Sequence, residues 1–148
     1  MDKELVVNQA VENELLRFLG VRIVTAGPTK VVLEMEVTPK VHQYVGIMNG
    51  GVSVLLAETA ASIGAVAASD LSRVTPVGIE INANHLRAVS KGVITITATP
   101  ITHGRTMSVW SIEILNDKAK LVCVSRITIY LQKRPATQAE RPALAGGG

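Results

Sequence analysis

One segment, His42 to Ser62 (HQYVGIMNGGVSVLLAETAAS), constrains the fold more than any other. It opens as a polar loop, passes through the pair Gly50-Gly51, and becomes an apolar run whose single charge is Glu58. Such a run, uninterrupted by turn residues, reads as one long helix that is apolar nearly all round. A single flat sheet face cannot cover it. The sheet must curl around the helix, or a second subunit must complete the burial, and both are expected. A lone carboxylate in that setting is costly unless it is paired or used, and burial would push its pKa upward.

The rest of the chain supplies strands. Val31, Leu33, Met35 and Val37 alternate with Glu34 and Glu36 across residues 30–38, a half-buried strand. Residues 21–27 form a shorter strand, joined to it by a turn at Gly27-Pro28. After a polar connection from Ser69 to Pro76, four strand patterns follow: Val77–Leu86, Val93–Ile101, Thr106–Leu115 and Lys120–Gln132. Short polar turns separate them, which favours antiparallel hairpins. Residues 4–19 show a helical apolar face stopped by Gly20, and predict a short amphipathic helix. About six strands and one long helix make an α+β domain. Its limits are placed at 1–133, with 134–148, rich in Pro, Ala and Gly, expected as a disordered tail.

Composition narrows the function classes. The chain has 148 residues, of which 47% are hydrophobic and only 3% aromatic, so the core must be aliphatic. A formal charge of +3, with no cluster of Lys and Arg among aromatics, argues against a nucleic-acid reader. A mildly basic surface instead suits a small molecule carrying phosphates. The one cysteine, Cys123, can form no internal disulfide, and no Cys/His set has zinc-site spacing. The N-terminal MDKELVVNQ lacks a signal-peptide pattern, and no apolar run of about 18 residues is free of polar interruption. A cytoplasmic protein with no membrane partner is the expectation.

The central segment also carries a pattern of residues. Gln43, Gly46, Asn49-Gly50-Gly51, Leu56-Ala57-Glu58-Thr59 and Ser62 occur in order, followed by EINANHLR at 80–87, GRTMSVW at 104–110 and LVCVSRITI at 121–129. In this the chain resembles the hotdog-fold acyl-CoA thioesterases, and most of all the branch that includes the phenylacetate-pathway and enterobactin-associated thioesterases. The resemblance spans about residues 5–132. It implies a curled antiparallel sheet wrapped around the central helix. It also implies an acyl-CoA substrate, with CoA as part of substrate and product and no further cofactor or metal. The implied assembly is a homodimer or a homotetramer built as a dimer of dimers. Gln43 would then position the thioester or the water. The family pattern has a histidine before the glycine pair where this chain has Asn49. Asn can donate a hydrogen bond to a carbonyl oxygen but cannot move a proton. It is equally a favoured helix N-cap.

Thioester hydrolysis needs a donor for the carbonyl oxygen and a group that attacks or activates water. Gly50 and Gly51 open the helix, so their N–H groups lack intrahelical partners and lie at its positive end. Glycine also lets a ligand come close to the backbone. The Gly50 amide is the expected oxyanion donor and Glu58 the base or nucleophile. These two are eight positions apart, about 12 Å along one helix, too far to serve one carbonyl from the same chain. Two antiparallel helices in a dimer would bring Glu58 of one chain to Gly50 of the other. Ser62, one turn after Glu58, either orients it or is a small packing residue. Thr59 flanks the helix and Gly51 lies beside the donor; both are candidates for substrate contact. His85, Arg87 and Arg105, at strand ends and a hairpin turn, are candidates for the pantetheine and phosphates of CoA. Two other readings remain open here: a hotdog hydratase or dehydratase acting on an acyl thioester, and a non-catalytic acyl-CoA-binding domain.

Overall fold

The computed structural model describes residues 8–9 and 13–135. Helix α1 spans Glu14–Leu19. Asn13 caps it, its Oδ1 accepting from the N–H groups of Leu15 at 2.9 Å and Leu16 at 3.3 Å. Gly20 ends it in the left-handed region at φ 72°, as its place in the sequence predicts. Asn8 and Gln9 are helical; the remainder of the predicted helix over 4–12, and the tail beyond residue 135, lie outside the described residues.

Six strands follow the order of the sequence patterns: β1 Arg22–Ala26, β2 Val31–Val37, β3 Val74–His85, β4 Gly92–His103, β5 Met107–Leu115 and β6 Leu121–Lys133. Helix α2, Gly50–Ala68, lies between β2 and β3 in the chain. The strands form one antiparallel sheet in the order β1-β2-β4-β5-β6-β3. Strand β3 begins at Val74, three residues before the predicted start. Its first residues, Val74, Thr75 and Pro76, pair with Lys133, Gln132 and Leu131. Long-range pairing to β6 thus extends a strand that local composition would have ended.

The sheet curls through bulges. Register shifts occur between Ile23 and Thr25, between Gly78 and Glu80, and between Pro100 and Thr102. Pro100 lies in an interior strand, where it can donate no ladder hydrogen bond, and the bulge accommodates it. The concave face carries Val31, Leu33 and Met35 of β2, Ile94, Ile96 and Ala98 of β4, Trp110, Ile112 and Ile114 of β5, and Cys123, Ile127 and Ile129 of β6, all buried. Each large apolar side chain so buried contributes about 1.5–3 kcal/mol.

Helix α2 packs on this face through Leu56, Ala57, Ala60, Ala61 and Gly64. The small residues let the helix axis come close to the sheet. At Gly64 the approach is complete: the Trp110 indole occupies the space that a β-carbon would need. The indole N–H donates to Ser108 Oγ at 2.7 Å, and that hydroxyl lies 2.8 Å from His103 Nδ1. Trp110 is therefore a core anchor with its one polar atom satisfied. By length and composition α2 could cross a membrane, but its small-residue face is packed on the sheet.

Candidate active site

The entrance of α2 is built by Asn49. Its Oδ1 accepts from the Gly51 N–H at 2.8 Å, so Asn49 is the N-cap. The Asn49 N–H donates to Val41 O at 2.9 Å and fixes the incoming loop. With Oδ1 used on the helix, the Asn49 Nδ2 group is the part left to donate. The Gly50 N–H has no partner among the described residues and sits at the positive end of α2. The imidazole of His85, the last residue of β3, stands against Gly50.

Gln43 lies in the loop before the helix. Its N–H donates to Ile47 O at 2.8 Å, and its carbonyl accepts from Gly46 N at 2.9 Å, a tight turn held by Gly46 at φ 79°. Gln43, Gly50, Ser53, His85 and Arg87 line one cavity of about 390 Å³. Five predicted or adjacent residues from three segments are thus brought together at the helix start.

Glu58 is elsewhere. Together with Gly51, Thr59 and Ser62 it lines a groove of about 540 Å³ along the outer side of α2. The walls are apolar, from Leu15 and Leu16 of α1 and from Val54, Leu55, Ile63 and Val66. Glu58 is exposed on the single chain, and this corrects the expectation that it is buried. The sheet covers the Ala-rich face of α2, whereas Glu58 leaves the helix at the flank of that face, beside the sheet-edge strand β3. Thr59 Oγ1 donates to Leu55 O at 2.7 Å, a bond back into its own helix. No hydrogen bond joins Ser62 to Glu58 among the described residues, so their shared face does not become a contact on one chain. Arg105 belongs to neither place. It lines a third cavity, about 650 Å³, with His103, Arg73, Lys133 and Arg134. No group of His, Cys, Asp and Glu among the described residues is arranged to hold a metal ion.

One neighbour of Glu58 was missed by sequence reasoning. Gly78 of β3 lies so close that a β-carbon on it would stand 2.9 Å from Glu58 Oε1. The only signal in the sequence is a glycine within the strand pattern that starts at Val77.

The pattern around this helix matches known proteins. Residues 45–123 match the family described as the thioesterase superfamily. The chain belongs to this superfamily. It is 46% identical over 116 residues to a 1,4-dihydroxy-2-naphthoyl-CoA hydrolase of Listeria monocytogenes, covering 78% of this chain and 94% of that one. A protein of the same name from Escherichia coli is 34% identical over 122 residues, 82% of this chain and 89% of the other. A crystal structure of a mutant thioesterase from Pseudomonas aeruginosa superposes with a TM-score of 0.81 at 34% identity, covering 90% of this chain and 96% of that chain. The six-stranded curled sheet with its central helix is the hotdog fold of these thioesterases, and the superfamily member described here is a thioester hydrolase.

Proposed function

We propose that the substrate is an acyl-CoA, hydrolysed to the free acid and CoA in a site composed from two chains. The observation that carries this reading is the separation of the two expected catalytic groups. Gly50, whose N–H has no partner among the described residues, lines one cavity and Glu58 lines another, and neither of these two cavities holds both. Apart by about 12 Å along the helix, they can meet on one carbonyl only if each comes from a different subunit.

The edge strand supports such a pairing. Among the described residues strand β3 has a partner on one side only, and Val77 and Ile79 on it are exposed. An unpaired edge with apolar side chains is a template for a second strand. Two β3 strands running antiparallel would join two sheets into one and set two α2 helices side by side. A dimer of dimers is the further assembly proposed from the likeness to hotdog thioesterases.

In the proposed reaction the Gly50 N–H, aided by Asn49 Nδ2, holds the thioester oxygen as negative charge develops on it. One such donor is worth ~10²–10³ in rate. Glu58 of the partner subunit either takes a proton from water as the water attacks and passes it to the sulfur as the C–S bond breaks, or attacks the carbonyl carbon itself, expelling CoA as the C–S bond breaks to leave a mixed anhydride that water then cleaves. In both routes CoA leaves as the thiol, in the second with a proton taken up from water. Gln43 and Ser62 orient the reacting groups. His85 and Arg87, in the Gly50 cavity, face the pantetheine arm. The apolar groove beside Glu58 takes the acyl group. A small aromatic or a short to medium acyl chain fits its walls, and the names of the two hydrolases above favour an aromatic acid.

The test is a panel of aromatic and aliphatic acyl-CoAs followed by free-thiol release, with Glu58→Ala as the paired variant. Turnover of the wild type, abolished by Glu58→Ala with the oligomer intact, is expected. Unchanged turnover in that variant would remove Glu58 from the mechanism.

A further inference from the structure

Gly78 stands inside β3, where a glycine weakens a strand unless backbone or space requires it. The backbone does not: among the described residues the glycines at positive φ are Gly20, Gly46 and Gly92, and Gly78 is not one of them. Space does. A β-carbon on residue 78 would lie 2.9 Å from Glu58 Oε1 and 3.9 Å from its carboxyl carbon. The next atom, Ile127 Cδ1 at 3.6 Å, is at ordinary contact distance. The core thus has room for a methyl group at this position, and the Glu58 carboxylate does not.

The register of β3 on β6 also shifts here. Gly78 pairs with Ile129 and Glu80 with Thr128, so Ile79 is the extra residue of a bulge and is 54% exposed. Bulges bend a strand and re-aim what lies against it. The bare backbone of Gly78, at this bend, forms the floor on which the carboxylate rests.

The geometry points to Gly78 as a positioning residue: its missing side chain makes the seat that holds the Glu58 carboxylate in its reactive place. This inference rests on the assignment of Glu58 as base or nucleophile. The carboxyl end of Glu58 is flexible, so a methyl group at 78 is accommodated by swinging the carboxylate aside. The fold tolerates that movement, and the reaction geometry does not.

The experiment compares wild type, Gly78→Ala, Glu58→Ala and the double variant as intact oligomers. kcat and KM are measured separately on the best acyl-CoA of the panel above, and stability by urea unfolding. Gly78→Ala is expected to lower kcat by ~10- to 100-fold, the scale of a displacement near 1 Å, and to leave KM within about twofold. In the Glu58→Ala background the same substitution is expected to leave the residual rate unchanged and the unfolding midpoint unchanged or raised. A Gly78→Ala enzyme with wild-type kcat, beside an inactive Glu58→Ala, overturns the inference and leaves the role of Glu58 standing. A change confined to KM also overturns it. A fully active Glu58→Ala removes the reading beneath it. Should Gly78→Ala fail to assemble, the double variant decides. Assembly recovered without the carboxylate supports the seat, and failure in both backgrounds assigns the glycine to the strand alone.

Discussion

The imidazole of His85 lies against Gly50, so close that a β-carbon on residue 50 would stand 2.9 Å from its Nε2 and 3.1 Å from Cε1. The end of β3 and the start of α2 are therefore matched through a residue with no side chain. That match leaves the Gly50 N–H open to the cavity that Gln43 and Arg87 share. Gly50→Ala tests it. The added methyl displaces the ring and narrows the approach to the amide, and kcat/KM is expected to fall by ~10- to 1,000-fold. Alanine is the better helix former by about 1 kcal/mol, so the unfolding midpoint should hold or rise. Loss of activity without loss of stability is the outcome to look for.

Asn49 has one observed use and one proposed. Its Oδ1 caps α2 through the Gly51 N–H, and its Nδ2 is the group proposed to donate to the thioester oxygen. Asn49→Asp keeps the cap and removes the donor; stability is expected to hold while kcat falls. Asn49→Ala removes both, with a further loss of about 1 kcal/mol in urea unfolding. Equal activity of Asn49→Asp and wild type would make Asn49 a cap only. Asn49→His restores the residue type of the family pattern, and a rise in rate would show that asparagine is the weaker choice at this position.

A composite site predicts complementation. Glu58→Ala and Gly50→Ala damage different halves. When the two inactive chains are co-refolded, each mixed dimer has one doubly damaged site and one intact site. Random pairing returns about a quarter of wild-type activity, because a two-fold interface uses the same patch from both chains. Mixtures no more active than their parents would place both groups in one chain's site.

Cys123 faces the core from β6. Burial pushes its thiol up from the ordinary 9.0, and a hydrogen bond with Ser125 opposes this in part. The neutral thiol is thus favoured in the folded chain. The unfolded chain loses that proton first, so this contribution to stability is complete below about pH 9 and declines as pH rises through the folded value. At neutral pH the native protein should resist a thiol-specific reagent and react stoichiometrically once unfolded. Rapid labelling of the native protein would contradict the burial.

The central helix and the six strands were legible in the residue order because their signals are local. Alternation in β2, the glycine pair opening α2 and Gly20 closing α1 each act within a few residues. The first residues of β3 were not legible, since Val74 to Pro76 are strand only by pairing with Leu131 to Lys133. Nor was the setting of Glu58. Its position in an apolar run suggests burial, yet the sheet covers the Ala-rich face of α2, and Glu58 stands at the margin of that face, over the edge strand β3 and exposed on the single chain. The sequence by itself determined where the helix begins, which amide is left free and which carboxylate stands two turns on. Tertiary structure alone decided that Gly50 and Glu58 open to different cavities, that His85 closes on the first and that Gly78 underlies the second. The physical reason is distance: helix rise and strand alternation follow from neighbours along the chain, whereas contact between α2 and β3 depends on how the whole sheet twists and bulges around the helix.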